Sequence, residues 1–81
     1  QPGTEDLSHW RAAGRQLLNC IDALPPAQRA AFLLHHEDGL SVEAVADTLA
    51  LGFETVKSQM RYALHKLRRC MRVYLQWEGA T

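Results

Sequence analysis

Residues 41–69, SVEAVADTLALGFETVKSQMRYALHKLRR, decide how this chain is read. Val42, Val45, Ala46 and Leu49 recur at helical spacing directly after Ser41, a hydroxyl residue suited to cap a helix start. Glu43 and Asp47 occupy the other side, so a short amphipathic helix is expected, ending near Leu49 or Ala50. Ala50-Leu51-Gly52 then makes a tight turn, with Gly52 able to serve as the next N-cap. A longer helix follows, from about Phe53 to Tyr74 or beyond. At about 100° per residue, Val56, Met60, Ala63, Leu67, Cys70, Met71 and Tyr74 share one sector. Glu54, Lys57, Ser58, Arg61, His65, Arg68 and Arg72 fall opposite, with Tyr62 and Arg69 at the margin. A short helix, a tight turn and a long helix with one cationic face have the layout of a helix-turn-helix.

Upstream, two more helices are expected. Pro25 and Pro26 interrupt the chain, and a proline is well tolerated at the first position of a helix. The second helix therefore starts near Pro26 and runs through AQRAAFLLHHE, with Gly39 as its stop. The first runs from about Glu5 to Ala23, with Thr4 as N-cap and Glu5 and Asp6 at the positive end of its dipole. Leu7, Trp10, Leu17, Leu18 and Ile21 define a face expected to be buried, and Gly14 weakens its middle by about 1 kcal/mol relative to alanine. Val73, Tyr74, Leu75 and Trp77 are expected to continue the last helix and pack back near Trp10; the alternative is an exposed apolar patch for a protein partner. The fold class is thus all-α, a four-helix domain with a C-terminal helix-turn-helix and a long recognition helix. Residues 1–4 read as a tail or linker remnant, 5–77 as the domain and 78–81 as a C-terminal tail.

Composition narrows the function. Eighty-one residues suffice for one small domain, and 47% apolar with 22% charged residues is ordinary globular content. No apolar run approaches the roughly 18–20 residues of a membrane span. Gln1 in place of Met suggests a piece of a longer protein. Cys20 and Cys70 lie far apart without metal-ligand spacing, and the expected state is two free, largely buried thiols in a cytosolic protein. His35 and His36 point about 100° apart on a helix, and His65 and Cys70 do not share a face, so no metal is expected. Nor is a cofactor, or a reaction: the chain has no glycine-rich phosphate loop and no nucleophile set, and Glu37-Asp38 reads as helix-end charge.

Net charge is zero, but six of the nine basic residues (Lys57, Arg61, Lys66, Arg68, Arg69 and Arg72) sit in the second half. A polarised neutral protein can still bind phosphate with its positive face. On the long helix, arginine can bond the guanine edge bidentately, lysine and serine reach phosphates or base acceptors, and the Thr55 methyl can touch thymine. Only the first turns of such a helix reach base edges, so Arg68, Arg69 and Arg72 are expected to follow backbone or solvent.

The stretch from Leu24 to Arg68 resembles region 4 of bacterial sigma-70-type factors, particularly the short extracytoplasmic-function group. The resemblance is carried by Leu24-Pro25, Arg29, Phe32, Leu34, Gly39-Leu40-Ser41, Val45-Ala46, Leu49, Thr55-Val56-Lys57-Ser58, Ala63 and Leu67-Arg68, in register without a gap. It implies a cytoplasmic bacterial transcription module that binds double-stranded promoter DNA at the −35 element while docked on the flap of RNA polymerase core. An anti-sigma factor is a further implied partner, and a monomer is expected. Thr55, Lys57, Ser58 and Arg61 would meet the groove, with Tyr62 and His65 as further DNA-facing candidates on the same helix. Arg29 and Ser41 would lie near the phosphate backbone. The chain departs from the family pattern at Ala50, where a turn glycine is usual, and at Gly52, where Ser or Thr is. Gln59, Tyr62 and Leu64 stand where arginine is frequent, and His36-Glu37 where an apolar residue is common. Weak stand-alone affinity is therefore expected, polymerase supplying the rest through effective concentration. Two rivals remain at this level: the effector domain of a response-regulator-type factor, which usually dimerises, and a sigma-like interaction domain that no longer reads DNA.

Overall fold

A computed structural model describes the backbone of residues 4–74 and the side chains of 7–74. Four helices follow in order: α1 (Thr4–Asp22), α2 (Pro26–His36), α3 (Val42–Leu49) and α4 (Phe53–Cys70). The all-α expectation holds among the described residues. α1 is displaced by one residue from its expected bounds. The Thr4, Glu5 and Asp6 side chains assigned to its cap lie outside the described residues, as do Leu75 and Trp77.

Local chemistry explains the boundaries. Pro26 opens α2, where its missing N–H costs nothing. Glu37, expected inside α2, is instead its C-cap. Glu37 and Asp38 N–H groups both bond Leu33 O, and Leu40 N–H bonds Leu34 O at 3.0 Å, across Gly39 at φ +76°. A left-handed φ at that point is what glycine permits without steric cost. His35 Nδ1 lies 2.8 Å from Leu40 O and pins the same turn, which gives that histidine a structural use. Ser41 Oγ accepts from Ala44 N–H at 3.1 Å and caps α3 as expected. α4 breaks at Met71 and resumes as one helical turn over 72–74, shorter than the continuous helix expected.

α4 is the spine of the domain. Its N-terminal half supplies Val56 to a cluster with Ala31, Val45 and Ala46, closed by Leu34, Leu40, Val42, Leu49, Leu51 and Met60. Its C-terminal half supplies Ala63 and Leu67 to a second cluster with Cys20, Ile21 and Leu24, against Phe32, Leu33 and Met71. Val45 and Val56 are wholly enclosed, so the α3–α4 crossing is fixed by β-branched side chains with one strongly preferred rotamer in a helix.

Two expectations fail at α1. Cys20 and Cys70 are not free thiols: they form a disulfide, with Cα atoms 5.9 Å apart. Fifty residues of sequence separation conceal that the end of α1 and the end of α4 lie side by side. The second failure concerns the α1 face, because Leu7, Trp10, Leu17 and Leu18 are exposed, Leu18 by 63%. The buried stripe is Ala13, Cys20, Ile21 and Leu24. Leu18 stands about 160° around the helix from Cys20, so the rotation that brings Cys20 to α4 turns Leu18 outward. Further along, Tyr74 packs its ring 5.2 Å from that of His9, itself against Trp10, as expected for the region near Trp10, whereas Val73 is exposed.

Candidate nucleic-acid interface

The turn between α3 and α4 sets the geometry of the candidate surface. Ala50 occupies the left-handed region at φ 57°, where a Cβ costs about 1–2 kcal/mol. Its N–H reaches Asp47 O at 3.3 Å, and Leu51 N–H reaches Ala46 O at 3.0 Å, closing α3. Gly52 is extended and caps α4 without a side-chain acceptor. The first N–H groups of α4 therefore keep their donor capacity at the positive end of an 18-residue helix, an arrangement that favours an anion.

From that end the cationic face is laid out in steps. Thr55 and Lys57 are exposed, Ser58 is half-buried, and Arg61, Tyr62 and His65 are exposed. Lys57 Nζ lies 3.7 Å from Glu54 Oε2 and 5.4 Å above the centre of the Phe53 ring. At such exposure the ion pair contributes little to stability, and its effect is to hold the ammonium close to the helix start. One turn on, an Arg61 guanidinium nitrogen donates to Ser58 Oγ at 3.4 Å, while the guanidinium stands 5.6 Å from the Tyr62 ring centre. These weak, helix-local contacts leave most of the guanidinium fork free for a bidentate acceptor.

α4 thus gathers Thr55, Lys57, Ser58, Arg61, Tyr62 and His65 on one exposed side. Ser41 and Arg29 are placed differently. Ser41 is exposed at the start of α3, its hydroxyl engaged in the cap. Arg29 is half-buried on α2 and donates to Asp22 O at 3.0 Å, which satisfies a terminal carbonyl of α1. Sequence reasoning missed this tie, and also the Phe53 platform under Lys57. An aromatic four residues before a lysine on a helix was the available signal for the second.

Residues 14–67 match the family model described as sigma-70, region 4. Over 59 residues, 73% of this chain and 30% of that protein, the chain is 41% identical to the ECF RNA polymerase sigma factor SigK of Mycolicibacterium vanbaalenii. It is 36% identical over 74 residues to the ECF RNA polymerase sigma factor SigE of Mycolicibacterium smegmatis, covering 91% of the chain and 27% of that protein. Against the SigK of Mycobacterium tuberculosis it is 39% identical over 75 residues, 89% of the chain and 40% of that protein. The chain spans less than half the length of these relatives. With that match over residues 14–67, and with a helix-turn-helix whose second helix carries a cationic face, the chain belongs to the sigma-70 region 4 family.

Proposed function

We propose that this domain reads the −35 element of a promoter for an extracytoplasmic-function sigma factor, as a binding module without a reaction of its own. The observation that carries the reading is the α3–turn–α4 unit, which joins a positive helix start without a side-chain cap to exposed Lys57 and Arg61 one turn apart. In this reading Thr55, Lys57, Ser58 and Arg61 enter the major groove, Arg61 as the bidentate base reader. Tyr62 and His65 line the groove wall, and Ser41 stands near a phosphate. Arg29, already bonded to the end of α1, contributes charge to the backbone from a distance.

RNA polymerase core is the proposed protein partner, its flap seated on the apolar surface of α1 and α4. An apolar groove there is lined by Leu17, Phe32, Leu64, Leu67, Arg68 and Met71. The same surface would serve an anti-sigma factor, and the domain would act as a monomer in the bacterial cytoplasm. No described helix is long and apolar enough to cross a membrane. Selection from a random duplex pool tests the reading. Enrichment of one short motif that Arg61→Ala fails to enrich is expected; a pool that stays random for the unaltered chain would overturn it.

A further inference from the structure

The two cysteines of the disulfide differ sharply in exposure. Cys20 is 2% exposed, inside the cluster with Ile21, Leu24, Ala63 and Leu67. Cys70 is exposed and forms one wall of a groove of about 380 Å³ whose other walls are Lys66, Arg69 and Arg72. Among the described residues, no carboxylate lies within ion-pair distance of these three cations. Gln16 Nε2 adds a donor, 3.8 Å from Cys70 Sγ and 3.4 Å from Cys70 O. The groove lies farther along the same side of the chain, from about one to three turns past Arg61, so it is displaced along the helix axis from the start of α4 that carries Lys57.

Thiol–disulfide exchange needs a thiolate to reach a disulfide sulfur, and of the two cysteines Cys70 is the exposed one and the one that lines the groove. A cationic groove around that sulfur concentrates attackers of negative charge. We propose that the groove of Lys66, Arg69, Cys70 and Arg72 is an exchange site for low-molecular-weight thiols bearing carboxylates, with Cys70 as the sulfur attacked. The incoming thiolate forms a bond to Cys70 Sγ as the Cys20–Cys70 bond breaks. The electron pair leaves on Cys20 Sγ, which takes up the proton the attacking thiol released. A second thiolate attacks the outer sulfur of the mixed disulfide, and Cys70 leaves as a thiolate stabilised by its three cationic neighbours and the Gln16 amide. Two small thiols are oxidised to their disulfide, and the protein disulfide is reduced to two thiols. Cys20 is a poor leaving group in its apolar surroundings, so the first attack is slow and carries the charge dependence.

Reduction of the intact chain by glutathione, a net anion, and by cysteamine, a cation, tests this at matched thiolate concentration and low ionic strength. The ratio of the two second-order rate constants is expected to fall about tenfold in 1 M salt. The same fall is expected for K66E/R69E/R72E, and whatever trace of mixed disulfide acid traps is expected on Cys70. The salt arm uses the unaltered chain, so it decides the matter even where the triple variant folds poorly. A ratio indifferent to both salt and charge reversal, or a mixed disulfide on Cys20, would overturn the proposal.

Discussion

The α3–α4 unit and α1 are held by different physics. The first is locked by Val45 and Val56, both wholly enclosed, and by a serine cap, a turn and an adjoining helix start that follow from neighbouring residues. α1 is a 19-residue helix whose buried side chains among the described residues are Ala13, Cys20 and Ile21, with the disulfide at one end and exposed leucines along its flank. The α3–α4 unit is fixed by enclosed side chains, whereas α1 is tied by the disulfide at one end and by the Tyr74 ring against His9 towards the other. A domain built in this way can keep its α3–α4 surface in place while α1 accommodates a partner.

Removing the fastening should have the largest effect. Cys20→Ala opens a loop of about 50 residues and is expected to cost about 4 kcal/mol, lowering the melting temperature by roughly 15 °C or more. Hydrogen exchange should show α1 amides losing protection before those of α3 and α4. Simultaneous loss in all three would erase the contrast between the regions. Leu67→Ala removes a side chain shared by α4 and the α1 cluster, and about 3 kcal/mol of stability should be lost in a denaturant titration. Ala50→Gly relieves the left-handed alanine and should raise stability by about 1 kcal/mol without altering α1 protection. Leu18→Ser, on the open flank of α1, should stay within about 0.5 kcal/mol of the parent. A loss of several kcal/mol there would mean that the flank is covered by the rest of the domain.

The legibility of the sequence divides along the same line. Ser41, Gly39, Pro26 and the period of Val56, Ala63 and Leu67 act through neighbours three or four residues away, so caps, turn and buried face could be read directly. The disulfide could not, because sequence separation carries no information about which helix ends meet. Once Cys20 turns inward, Leu18, which a simple count assigned to the core of α1, must turn outward. The candidate surface was legible as a set on α4, since Lys57, Ser58 and Arg61 share a face by period alone. The placement of Arg29 against Asp22 O was not, because it depends on the angle between α1 and α2.

In the proposed function the exposed start of α4 reads bases, and the stability of the domain does not depend on its doing so. Fluorescence anisotropy of the duplex motif enriched in selection and of a scrambled duplex, across a salt series, tests it most directly with Arg61→Ala beside the parent chain. The parent should prefer its motif, with affinity falling by several charges in the log–log salt slope. Arg61→Ala should lose about 1–3 kcal/mol on the motif with an unchanged melting temperature, and its affinities for the two duplexes should converge. Equal binding of both duplexes by the parent, or an Arg61→Ala chain that retains full preference, would contradict the account.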